Sequence, residues 1–371
     1  MMIVSKQHQI FFDFLRFCIG SAKEIPDSLK EADWKEIYAI AKKQCLVGVL
    51  FDGIKKLPAE HVGMKKVLLL QWMAESQMLE KANVRLNDAA IQVSEWFRKK
   101  GFRTCILKGQ GNALLYPNPY SRTPGDIDIW VEGGDKRVIS FVRSISPHEK
   151  ACYHHIEFPS YKGVEVEVHY RPSFLLCFWH NRKLQKYYER VKEEQYSHRV
   201  MLGEQGEIAI PTMEFNLIFQ LTHIYAHLMN EGIGLRQLLD YYFVLVKWHT
   251  DLTNLTDSNK SLPRMTQINT DLDTLRHELK YLGLWKFAQA VMFVMKEVFG
   301  LSEDRMIAPM DEKEGSFLLD EIMRGGNFGQ YDDRMGSKVG ESKIHRYFRM
   351  NLRNLRFVKH YPTEALSEPL F

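Results

Sequence analysis

The chain has 371 residues, of which 45% are hydrophobic and 26% charged, and its formal net charge is +4. These are ordinary globular values and exclude a disordered chain or a coiled-coil rod. One core rarely grows past about 250 to 300 residues, so more than one compact region is expected, and so small a positive surplus does not by itself mark a nucleic-acid binder.

Cys18, Cys45, Cys105, Cys152 and Cys177 lie far apart and form no C-x-x-C pair. Neither a disulfide framework nor a zinc knuckle is expected, and a reducing, cytoplasmic setting fits. The apolar opening from Ile10 to Ile19 is broken by Asp13 and Arg16, and Val67 to Leu70 falls far short of the ~20 residues that span a bilayer. Neither an export signal nor a membrane anchor is expected.

Residues 1–97 read as a helical region. Trp34, Ile37, Tyr38, Ile40 and Ala41 recur at helical spacing behind Asp33, which is placed to cap them, and similar stretches run from Met64 to Leu79 and from Asn83 to Phe97. Gly101 breaks the pattern, and residues 98–210 switch to short β-type runs at Thr104–Leu107, Ile127–Val131, His155–Phe158 and Val164–His169. Breakers crowd between them, notably Pro117, Pro119, Pro124 and Gly125, then Gly133, Gly134 and Asp135. A loop so rich in turn residues can wrap over a ligand.

From 211 to 371 the helical period returns, first in Leu217, Leu221, Ile224 and Leu228, then near Leu275–Phe299 and Ile344–Lys359. The polar run Asp251–Asp273 reads as a long surface loop, and the glycine-rich run Arg324–Gly340 as resisting any regular element.

The chemistry centres on Gly125-Asp126-Ile127-Asp128-Ile129, downstream of Leu107-Lys108-Gly109. Alternate side chains of a strand share a face, so Asp126 and Asp128 project together while Ile127, Ile129 and Val131 face a core. Two carboxylates side by side are costly to ionise unless a cation compensates them, and oxygen-only ligands favour Mg²⁺ or Mn²⁺ over zinc. A third carboxylate belongs with such a site. In Val164–His169 the valines take one face and Glu165, Glu167 and His169 the other, so Glu167 and Glu165 are the competing choices.

In these residues the chain resembles the DNA polymerase β-like nucleotidyltransferases, and within them a bacterial group described as uncharacterised. The likeness runs through Leu107-Lys108-Gly109, Tyr116-Pro117, Arg122, Gly125 to Ile129, and Glu167, His169 and Arg171. It extends to the helix from Asp33-Trp34 and to a later helix with His223, His227, Arg236 and Asp240. Three departures stand out: Gln110 follows Gly109 where the superfamily has Ser or Gly, the loop before Asp126 is long, and the third acid is Glu where Asp is commoner.

The resemblance implies an α+β fold, a polymerase β-like catalytic domain with a small mixed sheet, flanked by helical N- and C-terminal regions. It implies Mg²⁺ or Mn²⁺ and a nucleoside triphosphate across Asp126, Asp128 and Glu167, with Lys108 and Gly109 at the phosphates. His169 joins the binding set, and Arg236 and Asp240 form a wall of the cleft. Arg122 either pairs with Asp126 or clamps phosphate; Arg236 and Asp240, at i and i+4, most simply pair with each other. His223 and His227 read as packed or substrate-facing rather than as zinc ligands, and the arginines at 346, 349, 353 and 356 as a solvated helix face.

The expected reaction is nucleotidyl transfer to a hydroxyl acceptor, a small molecule or a protein in preference to nucleic acid. The rival from another class is an inactive binding or scaffold protein that keeps the fold.

Overall fold

The computed structural model describes residues 5–204, 206–258, 264–332, 334 and 355–367, with only the helical backbone described at 254–258 and 264–270. Helix α1 (Lys6–Ile19) begins in a capping box at Ser5, and α2 (Trp34–Lys43) begins at Asp33, whose carboxylate accepts from the Lys35 and Glu36 amides. After α3 (Val47–Ile54), the two helical stretches expected between Met64 and Phe97 join into one 34-residue helix, α4 (Lys66–Lys99). At 1.5 Å per residue it runs about 51 Å. This length lets it support the sheet at one end and the N-terminal helices at the other.

The sheet is built from β1 (Thr104–Ile106), β2 (Ile127–Val131), β3 (His155–Tyr161) and β4 (Val164–His169), in the order β1-β2-β4-β3. The β2–β4 pair is parallel, while β1–β2 and β3–β4 are antiparallel, so the sheet is mixed. A one-turn helix, α5 (Gln110–Ala113), follows β1, and α6 (Gly134–Ile145) follows β2. Beyond the sheet come α7 (Phe178–Ser197) and the hairpin β5 (Arg199–Met201) and β6 (Glu207–Ala209).

All five residues of β2 are buried, because both faces of the strand are covered. Ile127, Ile129 and Val131 join a core with Leu86, Val93 and Phe97 of α4 and Val138 and Val142 of α6. Trp130, on the Asp128 face, packs instead on Tyr196 of α7 and on Phe215, with ring centroids 4.9 and 5.8 Å away. The strand therefore divides two cores, and its acid-bearing face looks towards the C-terminal helices.

Those helices are α8 (Met213–Asn230), α9 (Leu235–Ser258), α10 (Arg264–Tyr281), α11 (Trp285–Phe299), α12 (Glu312–Gly325) and the short α13 (Pro362–Ala365). They share one large core with α1 to α3, and α1 packs directly on α11. The surface loop expected at Asp251–Asp273 is a misreading, since α9 extends to Ser258 and α10 begins at Arg264. A helix with polar faces needs only a narrow apolar stripe, and overall polarity hides it.

Against the expectation for the 324–340 run, Arg324 and Gly325 belong to α12 and Asn327–Gly329 form a 3-10 turn; residues 333 and 335–340 lie outside the described residues, as do residues 344–354 of the last expected helix. Of its four arginines only Arg356 is described, and it faces Asp332 and Glu321 at 3.6 and 3.9 Å. No helix among the described residues is long and apolar enough to cross a membrane.

Candidate active site

Asp126 immediately precedes β2, and Asp128 is its second residue. Parallel pairing sets Asp128 opposite Glu167 on β4. One oxygen from each of Asp126, Asp128 and Glu167 lies within 4.8 Å of the other two. Glu165 lines the same cavity, but it is exposed and belongs to no such cluster among the described residues. Three carboxylates from adjacent strands form an oxygen-only donor set that fits Mg²⁺ or Mn²⁺.

Two cationic side chains meet Asp128 at the same oxygen. Lys108 Nζ lies 2.9 Å and His169 Nε2 3.0 Å from Oδ1, and His169 Nε2 is also 3.4 Å from Glu167 Oε2. Burial pulls the His169 pKa down, but the bonds to Asp128 and Glu167 outweigh it and raise the value to about 9. For Asp128, burial pushes upward, and the Lys108 charge and the His169 hydrogen bond hold the carboxyl below its usual range. Asp126 is raised, first by the Asp128 charge beside it and then by burial. Glu167 is lowered, because the His169 bond overrides the effect of burial.

The carboxylates open into a cavity of about 900 Å³ bounded by the sheet, α8 and the start of α9. Lys108 Nζ also donates to His223 Nε2 at 3.1 Å, and burial next to that ammonium keeps His223 neutral. The His223 and His227 rings are 4.3 Å apart and both line the cavity. Gly109 adopts φ 66 and ψ −108, a conformation that L side chains rarely take, at the entry to α5. Gln110, the residue that departs from the superfamily pattern, is buried and donates to Asn87 of α4. Its side chain is spent on holding α5 to α4.

Arg122 lines the cavity and pairs with Asp240, not with Asp126. Its Nε and Nη2 both meet the Asp240 carboxylate at 2.8 Å, and Tyr116 donates to the same group at 2.7 Å. Arg236, expected to pair with Asp240 one helical turn away, donates instead to the Thr123 carbonyl at 3.2 Å. Asn83 of α4 donates to the carbonyls of Tyr120 at 2.9 Å and Arg122 at 2.8 Å. The turn-rich loop ahead of Asp126 is thus held from α4 on one side and α9 on the other.

Comparison with known proteins decides the family. Residues 30–300 match the model of the family described as uncharacterised nucleotidyltransferase, most of the chain's length. The chain belongs to that family. No curated protein matches this nucleotidyltransferase-family chain in sequence. Among solved structures, an antigenic nucleotidyltransferase-like protein from Paracoccidioides brasiliensis aligns at 14% identity, over 56% of this chain and 94% of that one. The TM-score is 0.27, too low to bear on fold or function.

Two neighbours of the carboxylates in this nucleotidyltransferase-family chain escaped the sequence reading. His155 Nδ1 lies 3.5 Å from Glu167 Oε2, and His154 Nε2 lies 3.0 Å from His155 Nδ1. Burial, with His169 and His155 close by, pushes His154 down to about 2 and leaves it neutral. The signal available was the run Tyr153-His154-His155 at the start of a strand that would pair with Glu167's strand.

Proposed function

We propose that the chain transfers a nucleoside monophosphate from a nucleoside triphosphate to a hydroxyl acceptor at Asp126, Asp128 and Glu167, with Mg²⁺ or Mn²⁺ as cofactor. The observation that carries this reading is the cluster of three carboxylates within 4.8 Å, beside Lys108, at the wall of a large cavity. A divalent ion bound by such a set supplies charge neutralisation at the phosphates and lowers the pKa of the attacking hydroxyl. The acceptor oxygen forms the new bond to the α-phosphorus, and pyrophosphate leaves with the bond that breaks.

Glu167 is ionised and so can accept the hydroxyl proton. Lys108, reaching from the end of β1, and the backbone N–H groups after Gly109 hold phosphate oxygens. His169 orients Asp128 and Glu167 by bonding to both. Arg122, Asp240 and Arg236 line a wall of the same cavity and fix the loop that delivers Asp126. A cavity of about 900 Å³ suits a nucleotide with a small acceptor or a protein side chain, and the chain's small net charge leaves nucleic acid the less favoured acceptor.

The rival reading, a binding or scaffold protein without turnover, also has an observation behind it: Lys108 and His169 already neutralise Asp128. Incubation with each labelled nucleoside triphosphate, Mg²⁺ and cell extract separates the two. Transferred label lost in Asp126→Asn supports catalysis, and no transfer from any triphosphate favours the scaffold.

A further inference from the structure

Beside the carboxylate cluster lies a second donor group of different chemistry. Cys152, His154 and His155 each place one donor atom within 4.8 Å of the other two. Cys152 Sγ is 3.5 Å from His154 Nδ1. Zinc–sulfur and zinc–nitrogen bonds of about 2.3 and 2.0–2.1 Å at tetrahedral angles put the two ligand atoms about 3.6 Å apart. The observed spacing needs almost no change to hold such an ion.

The backbone bearing these donors is pinned at every carbonyl. The Cys152 carbonyl accepts from the Tyr170 hydroxyl, and the Tyr153 carbonyl accepts from Arg171 Nη1 at 2.5 Å. His154 accepts from the Tyr170 and Arg171 amides at 3.0 and 3.2 Å, and His155 accepts from the Cys152 amide at 2.9 Å. Donors on so fixed a turn lose little conformational freedom on binding. Cys152 is exposed, which gives an ion a way in.

We propose that Cys152, His154 and His155 form a second cation site, for a thiophilic divalent ion of the zinc class. A thiolate and two imidazoles select such ions, whereas the oxygen-only cluster selects Mg²⁺ or Mn²⁺. Three protein ligands leave the fourth tetrahedral position to water. Binding releases the Cys152 thiol proton to solvent. His155 also faces Glu167 Oε2 at 3.5 Å, so the two sites adjoin, but this inference requires none of the transfer chemistry.

Titration of the full-length protein with Co²⁺ tests it. One equivalent is expected to produce sulfur-to-cobalt charge-transfer absorption in the wild type and in Asp126→Asn. Cys152→Ser and Cys152→Ala are expected to abolish the absorption with thermal unfolding unchanged, and His154→Ala to weaken binding about tenfold or more. Three results would overturn the proposal: no absorption in the wild type, loss of the absorption in Asp126→Asn, or its persistence in both Cys152 variants. Persistence would move the thiolate to Cys177, which sits within the same reach of His180 and Glu364.

Discussion

Asp128 and Glu167 are partners in the parallel pairing of β2 with β4. Their separation is therefore set by strand spacing, about 4.8 Å, and not by the conformation of a loop. Asp126 comes in from the loop side, and that loop is braced by Asn83 and by the Arg122–Asp240 pair. Two acids are fixed by the sheet, and the third depends on packing at a distance.

Glu167→Gln should weaken Mn²⁺ binding about tenfold or more, since loss of even a group that supports a metal ligand costs about 10- to 100-fold. Glu165→Gln should change it less than about twofold, because Glu165 is exposed and stands outside the cluster. Electron paramagnetic resonance of free Mn²⁺ reads both. Equal losses would make Glu165 a ligand.

Arg122→Ala leaves the buried Asp240 carboxylate with Tyr116 as its remaining close partner. Breaking a buried pair from one side is expected to destabilise the fold by about 3–5 kcal/mol. Urea unfolding at neutral pH measures this. A loss below about 1 kcal/mol would mean that the pair is solvent-screened.

Asp240 also fixes a pH dependence. Burial raises its pKa, and the Arg122 charge with hydrogen bonds from Arg122 and Tyr116 outweighs that, so the folded value lies below the ordinary one. A carboxyl lowered on folding contributes stability that is fully present above its unfolded pKa of about 3.9 and is lost as pH falls through the folded value. The difference in Tm between wild type and Asp240→Asn should hold steady from about pH 7 to 5 and narrow below about pH 4. Widening in acid would contradict the assignment.

Gly48 of α3 lies against the Ser121 carbonyl, and a Cβ there would sit well inside van der Waals contact with its oxygen. Gly48→Ala should destabilise the protein by about 1–3 kcal/mol, the usual range for overpacking. Through the loop that delivers Asp126, it should also reduce Mn²⁺ affinity. Thermal unfolding and Mn²⁺ titration of the same variant check both, and unchanged values would show that α3 yields freely.

The sheet was legible because strand alternation is local. Ile127–Val131 and Val164–His169 have the boundaries expected from their patterns, and the burial of β4 separates Glu167 from the exposed Glu165. The supports were not legible. Arg122 and Asp240 are 118 residues apart, Lys108 and His223 are 115 apart, and nothing in a strand or helix period links such positions. For the same reason the spacing of Arg236 and Asp240 suggested a helix pair, while the fold gives Asp240 to Arg122 and Arg236 to the Thr123 carbonyl. The common core of the N- and C-terminal helices is likewise a long-range outcome, carried by contacts such as α1 on α11.

Calorimetric binding of the four non-hydrolysable nucleoside triphosphate analogues, with and without Mg²⁺, tests the central claim most directly. The account predicts that at least one analogue binds in a Mg²⁺-dependent manner and that Asp126→Asn weakens this binding about tenfold or more while Tm stays within about 2 °C of wild type. Binding indifferent both to Mg²⁺ and to Asp126→Asn would contradict it.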